Sequence, residues 1–332
     1  MCLQYNNEKL IDIIRLFIKH KIDLNDKTIS DEWTVLHTIC RYYNRDNLIE
    51  IVRLLVDSGC DLNFVTNSQG LNRGLNALMF ICLYYRGDVL IEIVRLLIAK
   101  GANVNIKTND NWNALHIVCR YYSGNNLIEL ASFLITSGCD VNTKDNENWN
   151  ALLKLCRYYS HDNLLEIVRL LIDNGVNVNE KNKHNWNALH VVSRYHSGNN
   201  LIEIIKLLVD QGIDVSAKSY FGSNALILLC QNEKLGECLL DIIHFLIEHQ
   251  IDMNAQDGDG DNALILICKY HGSKKLSDII RLILDKSSID ANAKNSKGMN
   301  ALGWLRKRDF TNSSEEIKIL VAHGGSVDEG NQ

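Results

Sequence analysis

Residues 113–142 read NALHIVCRYYSGNNLIELASFLITSGCDVN, residues 150–179 read NALLKLCRYYSHDNLLEIVRLLIDNGVNVN, and residues 187–216 read NALHVVSRYHSGNNLIEIIKLLVDQGIDVS. Self-similarity at a fixed period of this size marks a stack of repeats, each unable to bury its own apolar face. In the first of these segments Asn113 suits a helix N-cap, its side-chain carbonyl accepting a backbone N–H two or three residues on. Ala114, Leu115, Ile117, Val118 and Cys119 then predict a short helix with small or apolar residues on its packing side. A tight Ser123–Asn126 segment leads to Leu127–Ile135, where only Glu129 and Ser132 are polar. The spacing predicts a second helix with a narrow wet stripe and a wide buried face. Gly138 stands where the chain leaves that helix in a left-handed turn. Val141, between Asp140 and Asn142, reads as a short extended piece leading to the next turn.

The unit is thus helix, turn, helix, hairpin, and it resembles the ankyrin repeats. The resemblance is carried by Asn-Ala-Leu-His at Asn113–His116 and Asn187–His190, where that family has Thr-Pro-Leu-His, and by the Leu-Leu-Ile, Gly, Asp/Asn-Val-Asn run that closes each unit. It implies an all-α repeat solenoid of helix-turn-helix units joined by short β-hairpin fingers. Two departures stand out. The family unit has about 33 residues, and four more lie here between the two helices. The proline of the family's first helical turn is replaced by alanine, a strong helix former.

First helices aligned on Asn-Ala-Leu begin at Thr34, Asn76, Asn113, Asn150, Asn187, Asn224, Asn262 and Asn300. The spacing is 37 residues through the middle, 38 for the last two units and 42 for the first. The expected organisation is one domain over residues 1–332. It comprises a truncated unit at 1–30, seven central units at 31–299, a capping unit at 300–327 and a frayed tail at 328–332. Cys2–Tyr5 and Leu10–Leu16 keep the register of Cys119–Phe133, so the chain opens inside a first helix, as a module cut from something longer would. The extra residues of the first interval fall at 67–74 and predict one longer finger. In the last unit the polar run Trp304–Asp309, and Ser313-Ser314-Glu315-Glu316 at the start of its second helix, read as a C-terminal cap.

The chain has 332 residues, of which 46% are hydrophobic and 23% charged, as in ordinary globular proteins. A net charge of −5 argues against general nucleic-acid binding. No apolar run reaches the roughly 18 residues of a membrane span, and no signal-peptide pattern opens the chain. Seven of the ten cysteines, Cys2, Cys40, Cys82, Cys119, Cys156, Cys230 and Cys268, share one place on the first helix. Equivalent places lie a repeat-width apart, beyond the roughly 7 Å between Cα atoms that a disulfide spans. They read as small buried hydrophobes, and reduced thiols point to the cytoplasm or nucleus.

Little in the sequence carries catalysis. His37, His116 and His190 share one position, and the resemblance implies that each ties one hairpin to the next. No zinc spacing, phosphate loop or nucleophile elbow is present. Asp257-Gly258-Asp259-Gly260-Asp261 has Cys268 where a calcium loop needs its closing glutamate, and reads as a hairpin tip. Catalytic, cofactor and metal sites are therefore expected to be none, and the chain is expected not to be an enzyme. Asn111, Asn148, Asn185, Gly74, Gly222, Gly260 and Gly298 mark the finger turns, being residue types that tolerate positive φ. Glu50–Arg53, Glu92–Arg95, Glu166–Arg169 and Glu203–Lys206 read as i,i+3 pairs on the wet stripe.

Two rows remain. Trp33, Trp112, Trp149 and Trp186 follow the finger turns. Arg41, Arg120, Arg157 and Arg194 end the first helices, each followed by a tyrosine: Tyr42, Tyr121, Tyr158 and Tyr195. The resemblance places both rows on a concave binding face, and these residue types are enriched in interface hot spots. The competing reading is a structural ladder in which tryptophans and arginines stack on each other between repeats, with the tyrosines packing a lengthened first helix. The expected function is a protein-interaction scaffold or adaptor acting as a monomer on a protein or peptide ligand, an acidic segment being the candidate. Asp110, Asp145 and Glu147 could instead neutralise the arginines. The alternative is a targeting or substrate-recognition module of a larger protein, such as a ubiquitin-ligase receptor, channel or effector.

Overall fold

The computed structural model describes residues 7–29, 32–67, 73–124, 126–198, 200–236, 238–272, 275–308 and 314–326. The readings of Cys2–Tyr5, of most of the longer finger and of the tail beyond Ser326 lie outside them. The described residues form seventeen α-helices in a paired repeating order. The chain divides into two compact units, residues 1–161 with 169–176, and residues 162–168 with 177–332.

In the first unit α1 (Asn7–Lys19) precedes four first helices: α2 (Val35–Tyr42), α4 (Ala77–Tyr84), α6 (Ala114–Tyr121) and α8 (Ala151–Tyr158). They alternate with second helices α3 (Leu48–Asp57), α5 (Leu90–Ala99) and α7 (Leu127–Thr136), and α9 (Leu164–Asp173) follows across the division. First helices pack on first helices, α2 on α4 on α6 on α8, while α3 packs on α5. The second unit repeats the scheme. Its first helices are α10 (Ala188–Tyr195), α12 (Ala225–Cys230), α14 (Ala263–Tyr270) and α16 (Ala301–Lys307). Its second helices are α11 (Leu201–Asp210), α13 (Cys238–Glu248), α15 (Leu276–Lys286) and α17 (Glu315–Ala322).

The cap residues work as the spacing predicts and also do more. Asn113 Oδ1 accepts the N–H of His116 at 3.1 Å, closing the first turn of α6. Its Nδ2 donates to the Asp140 carbonyl at 2.9 Å, so one side chain joins the start of a unit to its end. Asn187, Asn224 and Asn300 reach Asp214, Asp252 and Ser326 in the same way. A threonine cap such as Thr34 has no such second arm.

On α7 the buried residues are Leu127, Leu130, Ala131 and Leu134, a narrower stripe than the sequence reading, because Ile128, Phe133 and Ile135 stay half-buried at its edges. Gly138 does turn left-handed, with φ +89°. The Asp-Val-Asn run is a turn, not an extended piece, since Asp140 Oδ1 accepts the Asn142 N–H at 2.9 Å. The asparagine closing each run clamps the next repeat. Asn105 Nδ2 donates to the Gly138 carbonyl at 2.8 Å while its Oδ1 accepts the Asp140 N–H at 2.9 Å.

Four further expectations need correction. The fingers contain no β-strand among the described residues. Each supplies one closing bond, such as Asp145 N–H to the Trp149 carbonyl (3.0 Å), and neighbouring tips share single bonds such as Asn146 N–H to the Asp110 carbonyl (3.1 Å), too few for a ladder. The first helix is not lengthened either: α6 and α8 are eight residues long. The extra residues form a loop held by the second tyrosine of each pair, with Tyr85, Tyr122 and Tyr159 buried. Tyr122 bonds Asn126 through its hydroxyl, and a Cβ at Gly124 would collide with that hydroxyl. Arg95 reaches Glu129 of the next second helix at 3.6 Å rather than Glu92 in its own. Ser314 is the N-cap of α17, yet its buried hydroxyl makes no capping bond.

All nine described cysteines are free, and Cys40, Cys82, Cys119, Cys156, Cys230 and Cys268 are buried. Burial pushes the thiols of Cys82 and Cys156 up to about 12. No helix of the described residues is long and apolar enough to cross a membrane.

Candidate functional site

Each finger turns on a residue at positive φ just before its tryptophan: Asn111 +66°, Asn148 +60° and Asn185 +63°. At Asn148 the turn is closed by its own N–H to the Asp145 carbonyl (2.9 Å). Asp145 Oδ1 also accepts the N–H groups of Glu147 (2.9 Å) and Trp149 (2.8 Å). The chain then enters the cap of the next first helix, which fixes where each tryptophan points.

His116 ties this frame to the repeat before it. Its Nε2 donates to the Trp149 carbonyl at 3.0 Å, and His37 and His190 do the same to Phe64 (3.1 Å) and Ser223 (3.2 Å). Each carbonyl requires a hydrogen on Nε2, and burial lowers all three imidazoles to about 4. The implied tether is present, and it holds the fingers in register.

The structure brings four of the expected interface residues together. Trp112, Trp149, Arg120 and Tyr158 line one open cleft of about 290 Å³ between the fingers that end at Trp112 and Trp149. Tyr121 and Trp112 line a small hollow beside it, with Arg73 and Leu83. The remaining members lie elsewhere. Trp33 is buried against Phe80 with ring centroids 5.1 Å apart, Arg41 lies under Tyr84, and Arg157 stays near its own Tyr158 at 5.6 Å. Trp186 stacks on His190 in the second unit, where Arg194 and Tyr195 are exposed.

Two of the four arginines form a ladder between repeats, on tyrosine rings and not on the tryptophans of the expected one. The Arg41 guanidinium carbon is 3.4 Å from the centre of the Tyr84 ring, and that of Arg120 is 4.0 Å from Tyr158, each a ring of the following first helix. Nε of both arginines is buried without a hydrogen-bond partner. The ring faces supply the attraction instead.

The cleft also holds an ion pair that the sequence reading missed. Lys154 Nζ sits 2.6 Å from Asp145 Oδ2, both side chains almost wholly buried, and 3.8 Å from the centre of the Trp112 ring. Burial lowers the Lys154 ammonium below the usual lysine range, against the opposing pull of Asp145. Asp145 thus neutralises a lysine, not an arginine. The signal lay in the register: the position of Lys154 is held by Phe80, Ile117, Val191, Leu228 and Leu266 in other repeats. Asp110, Asn146 and Glu147 complete the rim.

At Asp257–Asp261 the acidic run is a finger tip. Asp257 Oδ1 accepts the N–H groups of Asp259 (3.0 Å) and Asp261 (2.9 Å), and buried Asp261 pairs with Lys269 at 2.8 Å. Among the described residues no three His, Cys, Asp or Glu side chains cluster as a metal site would require.

No curated protein matches the chain. The family model described as ankyrin repeats (3 copies) matches residues 1–107, 40–145, 120–219 and 195–295. With these overlapping matches on the paired helices and histidine-tied fingers, the chain belongs to the ankyrin repeat family.

Proposed function

We propose that the chain is a protein-binding module that takes a partner segment in the cleft between the fingers of Trp112 and Trp149, and performs no reaction on it. The observation that carries this reading is the convergence of Trp112, Trp149, Arg120 and Tyr158 on one open cleft. Ankyrin repeats are generally protein-interaction modules, and aromatic and arginine side chains in such a cleft are hot-spot material. Three carboxylates (Asp110, Asp145, Glu147) and two cations (Arg120, Lys154) line it, a net charge of −1. Asp145 and Lys154 cancel, and Arg120 is already stacked. The acidic segment expected from the arginine row therefore meets little free positive charge here, and we read the ligand's main contribution as apolar side chains laid on the indoles. A monomer in the cytoplasm or nucleus completes the reading.

The ladder is the second reading, favoured for the arginines by the Arg41–Tyr84 and Arg120–Tyr158 stacks. Substituting Trp149→Ala with Arg120→Ala separates the two, since Arg120 belongs both to the cleft and to the stacks. A binding surface loses partner affinity by more than about 2 kcal/mol with stability little changed. A double variant that melts several degrees earlier and still binds its partner establishes the ladder. The partner comes from affinity capture with mass spectrometry. The same experiment tests the alternative of a targeting or substrate-recognition module, which would return ligase, channel or host components.

A further inference from the structure

The second unit carries an exposed aromatic pair that the repeat itself does not need. Tyr220 and Phe221 are each 73% exposed, adjacent to one another, at the tip of the finger that closes on Ser219 and Ser223. The two residues before the turn in the other fingers with an Asn or Gly turn are Asn72-Arg73, Asn109-Asp110, Asn146-Glu147, Lys183-His184, Gly258-Asp259 and Ser296-Lys297. All of those are polar or glycine. The backbone frame is the same: Ser219 N–H donates to the Ser223 carbonyl at 2.8 Å, Gly222 N–H to the Ser219 carbonyl at 3.0 Å, and φ of Gly222 is +81°. The turn geometry therefore does not call for rings, and rings so exposed contribute little to folding. An apolar cluster held in water marks a surface meant to be covered.

The neighbours define what would cover it. Phe221 lies against the next finger, close enough that a Cβ built on Gly258 would sit 3.8 Å from its own Cβ. That finger presents the exposed Asp259, beside Asp257, which is half-buried and takes the Gln231 amide on Oδ2 at 2.9 Å, while Asp261 is buried and matched by Lys269. On the other side Tyr220 N–H donates to the His184 carbonyl at 3.3 Å, beside Lys183. The aromatic pair thus separates a basic finger from an acidic one. We propose that Tyr220 and Phe221 form a second docking surface, distinct from the tryptophan cleft, for a partner segment that places an apolar side chain on the rings and a lysine or arginine beside it over Asp257 and Asp259. The rings supply contact area and the carboxylates fix direction.

The test uses a fluorescein-labelled peptide of alternating leucine and lysine, and the same peptide with glutamate for lysine, titrated with the full chain and read by anisotropy. Saturable binding of the lysine peptide is expected, at least tenfold weaker in Tyr220→Ser/Phe221→Ser. In Asp259→Asn it should be several-fold weaker and less sensitive to salt. Circular dichroism and thermal melting confirm that the exposed-site variants fold. Equal binding by the ring variant overturns the proposal, and so does preference for the glutamate peptide. So does concentration-dependent self-association that the ring variant abolishes, which would assign the surface to a second copy of the chain.

Discussion

The fingers at 145–149 and 219–223 share one backbone and differ in almost everything they show to solvent. Each is closed by a bond between its first N–H and its last carbonyl, each turns at a residue with positive φ, and each is held by a histidine of the preceding repeat. In the first, Asp145 organises the turn with one carboxylate oxygen and neutralises buried Lys154 with the other. In the second, Ser219 leads and two rings stand in water. The difference teaches that turn residue and tether set the frame, while the tip positions are free to vary. One finger spends that freedom on a buried polar cluster under the cleft, the other on an exposed apolar surface.

Breaking the first finger should have the largest effect. Asp145→Ala leaves the Lys154 ammonium buried without its counter-ion and should cost about 3–5 kcal/mol in urea denaturation. Adding Lys154→Met should restore most of it, because the position is apolar in every other repeat but the one with Thr38. If the single variant loses less than about 1 kcal/mol, the buried pair does not organise this finger.

Acid tests what the fingers share. The folded imidazoles of His116 and His190 titrate at about 4, below the ordinary 6.5. A depressed folded pKa means that the unfolded chain binds the proton more readily. The stabilisation is fully present above about pH 6.5 and is lost as pH falls towards 4, by up to roughly 3 kcal/mol per histidine. Hydrogen exchange should show both fingers loosening over that window. His116→Gln should remove the effect at Trp149 and leave it at Ser223.

A smaller effect sharpens the contrast between first helices of the two units. Ser193 stands in α10 where α6 and α8 have Cys119 and Cys156, and its buried hydroxyl has no partner. Ser193→Ala should raise stability by about 1 kcal/mol, since an unsatisfied buried polar group is removed. The smallest concerns turn strain. Gln250 has φ +60° at a helix end where Gly138, Gly175 and Gly212 stand in other repeats, and Gln250→Gly should gain a few tenths of a kcal/mol, read as a small rise in Tm.

Much of this was legible in the chain because it is local. Asn113 caps α6 through a bond three residues long, and Asn148 turns the finger through its own φ. The buried side of α7 follows from 3.6-residue spacing, although its width does not, because Ile128 and Phe133 are left half-buried by how closely the neighbouring helices approach. The tyrosines show where such reading fails. In Arg157-Tyr158-Tyr159 two identical side chains follow one arginine, and only the exit of the chain from α8 decides that Tyr159 is buried and Tyr158 lies on the rim.

The site divides along the same line. That tryptophans and arginines recur once per repeat is a fact of sequence. That Trp112, Trp149, Arg120 and Tyr158 meet in one cleft, while Trp33 is buried and Arg194 is exposed, depends on packing around each position. The Lys154–Asp145 pair joins residues nine apart, outside any helical or turn register, so its register anomaly could be seen but its partner could not. The sequence by itself determined the repeat, its caps and its turns, all set by dihedral preference and short-range bonds, while the histidine tethers were legible only through the family resemblance. The tertiary structure alone decided which rings are covered by a neighbouring cation and which, like Tyr220 and Phe221, remain in water, because burial is a property of what packs against a residue.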